Sequence, residues 1–174
     1  MSHKNCKRYK IISVSSGYPS KNRNIDSKLA KGTIIGFIEA DCIAQANWLL
    51  NLVSKLPKEG GLVGGPLTLK HKHNSKTTRA IDSVLTSYLG SGGPAQFYEI
   101  REDRQVCAVP VGNMALDKHL LEKLGGFNKK LRYNEDSFLC YTVRKQGIKI
   151  YFSAKSSIRF CTKNIDSNNC ERGS

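Results

Sequence analysis

The run TIIGFIEAD, residues 33–41, constrains the fold most. Ile34, Ile35, Phe37 and Ile38 put apolar side chains at odd and even positions alike, so both faces of an extended strand would be apolar. Such a strand is expected in the middle of a sheet that is covered on both sides. The run ends in Glu39-Ala40-Asp41, and in open α/β sheets the ligand crevice lies outside the carboxyl ends of the strands. Acidic side chains placed there are expected to meet a ligand and not the core.

Strand-like and helix-like patterns alternate along the rest of the chain, which favours α/β layers over a bundle or a sandwich. In AQANWLLNLVSKL, the residues Trp48, Leu49, Leu52, Val53 and Leu56 fall at helical spacing, and Pro57 and Gly60-Gly61 stop the helix. GGLVGGPLTL predicts a second strand. Ile81, Val84, Leu85, Tyr88 and Leu89 predict a helix over 77–89, and the following GSGGPAQFYEIREDR reads as a polar loop. QVCAVPVGN predicts a strand, and LDKHLLEKLGG a short helix with Asp117 as N-cap and Gly125 beyond its end. A helix is expected from about 137 to 146, ending at Gly147, with IKIYFS as the last strand. YKIISVS, residues 9–15, is a candidate first strand, and 161–174 is expected to be a disordered tail.

With 174 residues and 39% hydrophobic content, the chain suits a single domain. Its 28 Lys and Arg against 14 Asp and Glu give a net charge of +14, a field that attracts polyanions. Nucleic acid is not the expected partner. The densest basic cluster, Lys70, Lys72, Lys76 and Arg79, and the next, Lys129, Lys130 and Arg132, accompany no helix-turn-helix, aromatic RNA-binding strand or zinc spacing. LKHKHNSK, with His71 and His73, is instead expected to rest on an anionic membrane surface. The six cysteines form no C-x-x-C pair, and Cys42, Cys107 and Cys140 read as small buried hydrophobes of a reducing compartment. No apolar run approaches the ~20 residues that span a bilayer. The expected setting is therefore cytoplasmic, peripheral at the membrane.

Two acidic sites stand out in so basic a chain. If extended geometry continues past Ile38, Glu39 and Asp41 point to one side and offer hard oxygen donors to Mn²⁺ or Mg²⁺. The competing reading has Asp41 capping a helix that begins near residue 44. Glu135-Asp136, in RYNEDSFLCY, stands at the start of a helix whose amide end favours carboxylates. One of the pair could take a proton from an acceptor hydroxyl, or both could serve the helix terminus alone. Gly125-Gly126 before Phe127 allows positive φ, as a loop beside a ligand or an ordinary helix stop would need.

The order EADC, then a Trp-containing helix, then GNMALDKHLLEKLGGFNKKLRYNEDSFLCYTVRKQGIKIYF, resembles the family 2 glycosyltransferases of GT-A fold, over roughly residues 10–155. The resemblance implies an α/β, GT-A-like three-layer sandwich with a mixed central sheet, lacking the first nucleotide-binding strand, as a partial domain over 1–160. It implies Asp41 as the metal carboxylate of a DXD-like motif with Glu39 at its first acidic position. It also implies Asp136 as general base, with Glu135 beside it. Arg23, Asn24, Glu39, Gly112, Asn113 and Gly126 are the implied substrate-binding residues, Arg23-Asn24 opening a helix beside the donor. The implied reaction is inverting transfer from a nucleotide-sugar donor to a glycan or lipid-linked acceptor, dependent on Mn²⁺ or Mg²⁺. The other reading is a catalytically inactive subunit of the same fold that binds sugar or diphosphate, or serves assembly. Departures are Glu39 in place of Asp, Thr142 where many relatives carry Arg, and no His near Arg159.

Overall fold

The computed structural model of the chain describes residues 17–70, 76–85, 87 and 102–161. In chain order the elements are α1 (Pro19–Leu29), β1 (Ile34–Ile38), β2 (Cys42–Ala44), α2 (Trp48–Ser54), β3 (Leu62–Gly64), β4 (Leu67–Lys70) and α3 (Lys76–Leu85). They continue with β5 (Arg104–Val106), β6 (Asn113–Asp117), α4 (Lys118–Lys123), α5 (Glu135–Lys145), β7 (Ile150–Phe152) and β8 (Ile158–Cys161). The candidate strand at 9–15, the end of the 77–89 helix, the stretch 71–75 with both its histidines, and the tail from 162 lie outside the described residues.

The main sheet is mixed, in the order β1-β6-β3-β7-β5. β6 runs antiparallel to both β1 and β3, β3 parallel to β7, and β5 antiparallel to β7. A smaller sheet, β2-β8-β4, pairs β8 antiparallel to β2 and parallel to β4.

Alternation along the strands divides the core in two. On one face of the main sheet Ile35, Leu62, Met114, Leu116, Ile150 and Phe152 pack with Leu121 of α4, with Leu139, Cys140 and Val143 of α5, and with Phe127. On the other, Val63 and Ala115 pack with Leu52 of α2, flanked by Ile34, Trp48, Leu56 and Tyr151. Helices on both faces of a mixed sheet make three layers, as expected.

Several expectations are corrected. Among the described residues β1 lies at the end of the sheet order and not in its middle, with Ile38 42% exposed. Its two apolar faces are nevertheless both covered: Phe37 meets Phe127 edge-on at 5.3 Å between ring centres, while Ile34 packs beside Leu52. GGLVGGPLTL forms two strands in different sheets, β3 and β4. The strand expected in QVCAVPVGN is split, because Gln105 and Val106 end β5, residues 107–112 are irregular and β6 begins at Asn113. Pro110 has no N–H to give a ladder, and its carbonyl instead accepts from Asn113 N at 3.2 Å. The chain does not close with β7, since β8 follows it. Cys140 is buried as expected, but Cys42 is half-buried and Cys107 exposed.

Other local readings hold. Asp117 caps α4, its carboxylate accepting from Leu120 N at 2.9 Å. Gly125, Gly126 and Gly147 all take positive φ after their helices.

Candidate active site

The acidic end of β1 is a tight turn and not a continued strand, since Cys42 N donates to Glu39 O at 3.0 Å. The chain then re-enters extended structure as β2. Asp41 therefore does not cap α2, whose N-cap is Asn47. Glu39 and Asp41 still face common space, because both line an open cavity of about 740 Å³ with Asn22, Arg23, Asp26 and Val111. Gly112 lies under Glu39, and a Cβ there would come within 3.2 Å of Glu39 Cγ. Asp41 Oδ1 accepts from the Cys42 thiol at 3.8 Å.

The second acidic site reaches this cavity through α5. Asn134 precedes the helix in the left-handed region (φ 59°, ψ 24°) and turns the chain so that Glu135 and Asp136 occupy its first turn. Asp136 Oδ1 accepts from Ser137 N at 2.7 Å, and Oδ2 from Val111 N at 3.2 Å, which sets Asp136 beside the cavity wall. Glu135 is buried and points to α1, where Arg23 Nη1 binds its Oε1. The same guanidinium lies 3.8 Å from Glu39 Oε1 and 5.7 Å from the centre of the Phe127 ring. Arg23 thus joins the two acidic sites across the cavity.

Glu39 and Glu135 share this one guanidinium, and the acidic surroundings show in Glu39. Burial first, then the charge of Asp41, raises its carboxyl above the ordinary value; Arg23 opposes, and Asp136 and Glu135 add to the rise. Surplus negative potential of this kind suits a cation. Among the described residues no three His, Cys, Asp or Glu side chains gather closely enough to cage an ion by themselves. The donor set fits a hard divalent ion that takes one or two carboxylates, here Asp41 and Glu39, and fills its shell with water and phosphate oxygens.

The remaining residues expected to touch substrate sit behind this surface. Asn24 is buried, not at the start of α1 but in its middle, and its side chain is engaged at both ends. Nδ2 donates to Phe127 O and Oδ1 accepts from Phe127 N, each at 2.8 Å. Gly126 is the counterpart of that contact: a Cβ there would meet Asn24 Oδ1 at 2.4 Å. Asn113 is fully buried, donating to Pro66 O and Ser156 O and accepting from Trp48 Nε1 at 2.7 Å. It ties β6 to α2 and to the segments leading into the smaller sheet. The side chains of Asn24 and Asn113 thus brace the scaffold. Sequence reasoning missed the Arg23–Glu135 pair, whose members stand 112 positions apart with no spacing signal. It missed the Asn134 turn as well, although Asn is among the non-glycine residues that most readily take this conformation.

Against known proteins, no family model and no curated protein matches the chain. Among solved structures it is similar to GalNAc-T7, crystallised with UDP, GalNAc and Mn²⁺, with a TM-score of 0.62 at 14% identity. That likeness covers 85% of this chain and 31% of the other, so the chain spans about a third of that structure's length. At this identity the likeness gives the fold: a mixed α/β domain of GT-A type. No helix among the described residues is long and apolar enough to cross a membrane.

Proposed function

We propose that the chain transfers a sugar from a nucleotide-sugar donor to a hydroxyl acceptor, a glycan or a lipid-linked one, with inversion, in the manner of the family 2 glycosyltransferases. The observation that best supports this is that Arg23 bridges Glu39, which lines the cavity with Asp41, to Glu135, while Asp136 is hydrogen-bonded to Val111 of the cavity wall. The presence of UDP, GalNAc and Mn²⁺ with GalNAc-T7 supports a nucleotide-sugar donor and a divalent ion here.

In this reading the donor lies along the cavity with its diphosphate toward Arg23 and the 39–41 turn. Asp136 accepts the proton of the acceptor hydroxyl while that oxygen bonds to the anomeric carbon. The bond from that carbon to the diphosphate oxygen breaks, and its electron pair leaves with the nucleoside diphosphate. A bound Mn²⁺ or Mg²⁺, held by Asp41 with Glu39, would neutralise charge developing on that leaving group. Hydrogen bonds from Val111 N and Ser137 N hold the Asp136 carboxylate at the start of α5, which supports this role. Glu135 is a positioning residue that fastens α5 to Arg23.

The test is release of nucleoside diphosphate from a panel of sugar nucleotides with Mn²⁺, comparing wild type with Asp136→Asn. Loss of a general base is expected to lower turnover about 10²–10⁴-fold with donor binding kept. If both proteins bind donor but neither turns it over, the chain is a binding subunit and the transfer reading fails.

A further inference from the structure

α1 is built inside out. Its buried positions are Ser20, Asn24 and Ser27, all polar, whereas Ile25 is 39% and Leu29 52% exposed, with Tyr18 just before the helix at 41%. The buried side is sustained by hydrogen bonds: Ser20 to Leu131 O at 3.4 Å, Asn24 to Phe127, and Ser27 to Arg23 O at 2.6 Å. A surface helix ordinarily turns its apolar stripe to the core. The apolar side chains here face outward.

Lysines frame that apolar face. Lys21, Ile25 and Lys28 share one side of α1 by their spacing of four and three. With Asn24 and Lys129 from the segment after α4, they line a second cavity, of about 250 Å³. Among the described residues no acidic one lines it, and Asp26, the acid of this helix, lines the larger cavity instead. Lys21 also lies 5.2 Å from the centre of the Tyr18 ring. The walls combine Ile25 with the aliphatic stems of three lysines, whose charged ends can stand around the cavity. Apolar contact below and concentrated positive charge around it match an anionic headgroup carried on acyl chains.

We propose that the outer face of α1 docks on an anionic phospholipid surface, a headgroup phosphate being held among Lys21, Lys28 and Lys129. The site is separate from the acidic cavity and independent of the transfer reading. Arg23 and Asp26 face that cavity from the same helix, so docking leaves the cavity open on the other side of α1. The chemistry recognised is a phosphate with apolar chains attached, and Ile25, Leu29 and Tyr18 are the contacts a free phosphate would not use.

The experiment is sedimentation of the full chain with vesicles of phosphatidylglycerol and phosphatidylcholine, against vesicles of phosphatidylcholine alone. Each of Lys21→Gln, Lys28→Gln and Lys129→Gln is expected to lower partitioning about five-fold. Ile25→Asn is expected to lower it at unchanged charge. Lys58→Gln and Lys145→Gln, exposed positions outside this face, serve as controls and are expected to change it little. Because the substituted side chains are at the surface, a thermal melt of each variant confirms that its fold is kept. Equal losses in the controls would show diffuse attraction by the net charge and overturn the proposal, as would equal binding to phosphatidylcholine alone. Lysine-dependent NMR shifts with inorganic phosphate, without vesicle binding, would overturn it too, because they would assign the cavity to a free anion.

Discussion

Arg23 is the side chain on which the candidate site turns, because it satisfies the buried Glu135 and at the same time faces Glu39. Removing one member of a buried ion pair leaves the other desolvated and unpaired, at about 3–5 kcal/mol when both are fully buried. The side chain of Arg23 is 20% exposed and that of Glu135 9%, so water screens part of this. Arg23→Ala is expected to cost about 2–3 kcal/mol in urea unfolding. Arg23→Lys should fall between, since an ammonium keeps the charge but lacks the fork that reaches two carboxylates. An Arg23→Ala protein as stable as wild type would show that the pair carries no such weight. The cysteines give a second residue-scale expectation. Burial pushes the Cys140 thiol up to about 11, against an ordinary value of 9.0, and its Sγ donates to Val109 O at 3.7 Å. At pH 8, iodoacetamide should therefore label the exposed Cys107 in the native protein and reach Cys140 only on unfolding, as peptide mass mapping would show. Labelling of Cys140 at the rate of Cys107 would contradict its place in the core.

At the scale of elements, β5, the end strand of the sheet among the described residues, adds a polar clasp to the packing of Val106 against the core. Just before it, Asp103 accepts from Lys55 Nζ at 2.8 Å and from Ala154 N at 2.9 Å, linking the end of α2 to the turn after β7. The Lys55 hydrogen bond is the main cause holding the Asp103 carboxyl below its ordinary value, with the Ala154 amide and the charges of Lys55 and Lys155 assisting against desolvation. A lowered folded value means that this stabilisation is present above the unfolded value and is lost as pH falls through the folded one. Asp103→Asn should cost under about 1 kcal/mol at pH 7, given its exposure, and the difference from wild type should close as Asp103 protonates in acid. A gap that stays constant down the acid range would rule out the charge as its source. The clasp also shows what the sequence could reveal and what it could not. Apolar periodicity reports which faces of an element are covered, and it located α2, α4, α5 and the two-faced character of β1. It does not report position within a sheet, because Phe37 and Ile34 find cover on their two faces whether or not the edge of β1 is paired. It also misplaced β6, whose first residue is a buried asparagine made tolerable by partners at Pro66, Ser156 and Trp48 that no local pattern discloses.

For the whole molecule the unusual feature is a local reversal of sign. A chain of net charge +14 brings Glu39, Asp41, Glu135 and Asp136 close enough to act on one another, with Arg23 paired to Glu39 and Glu135, so this region opposes the general field. Each acidic site was legible as a short motif; the Arg23 link between them was not, because contacts between α1, β1 and α5 bring them together. A nucleotide diphosphate approaching the basic surface would meet like charge at the cavity unless a divalent ion intervened. Ion binding should therefore relieve repulsion within the folded protein and stabilise it, whether or not any transfer follows. At a free Mn²⁺ concentration of about 100 times Kd, mass action adds about 2.7 kcal/mol. In a chain of this length that raises Tm by about 5–10 °C. Asp41→Asn should abolish most of the rise while leaving the ion-free melting temperature within a few degrees of wild type. Matched ionic strength supplied as NaCl should not reproduce it, because screening acts on every surface charge and not on this cluster. A rise of equal size in Asp41→Asn, or in NaCl, would place the effect elsewhere on the molecule and leave the 39–41 turn without a role in holding the ion.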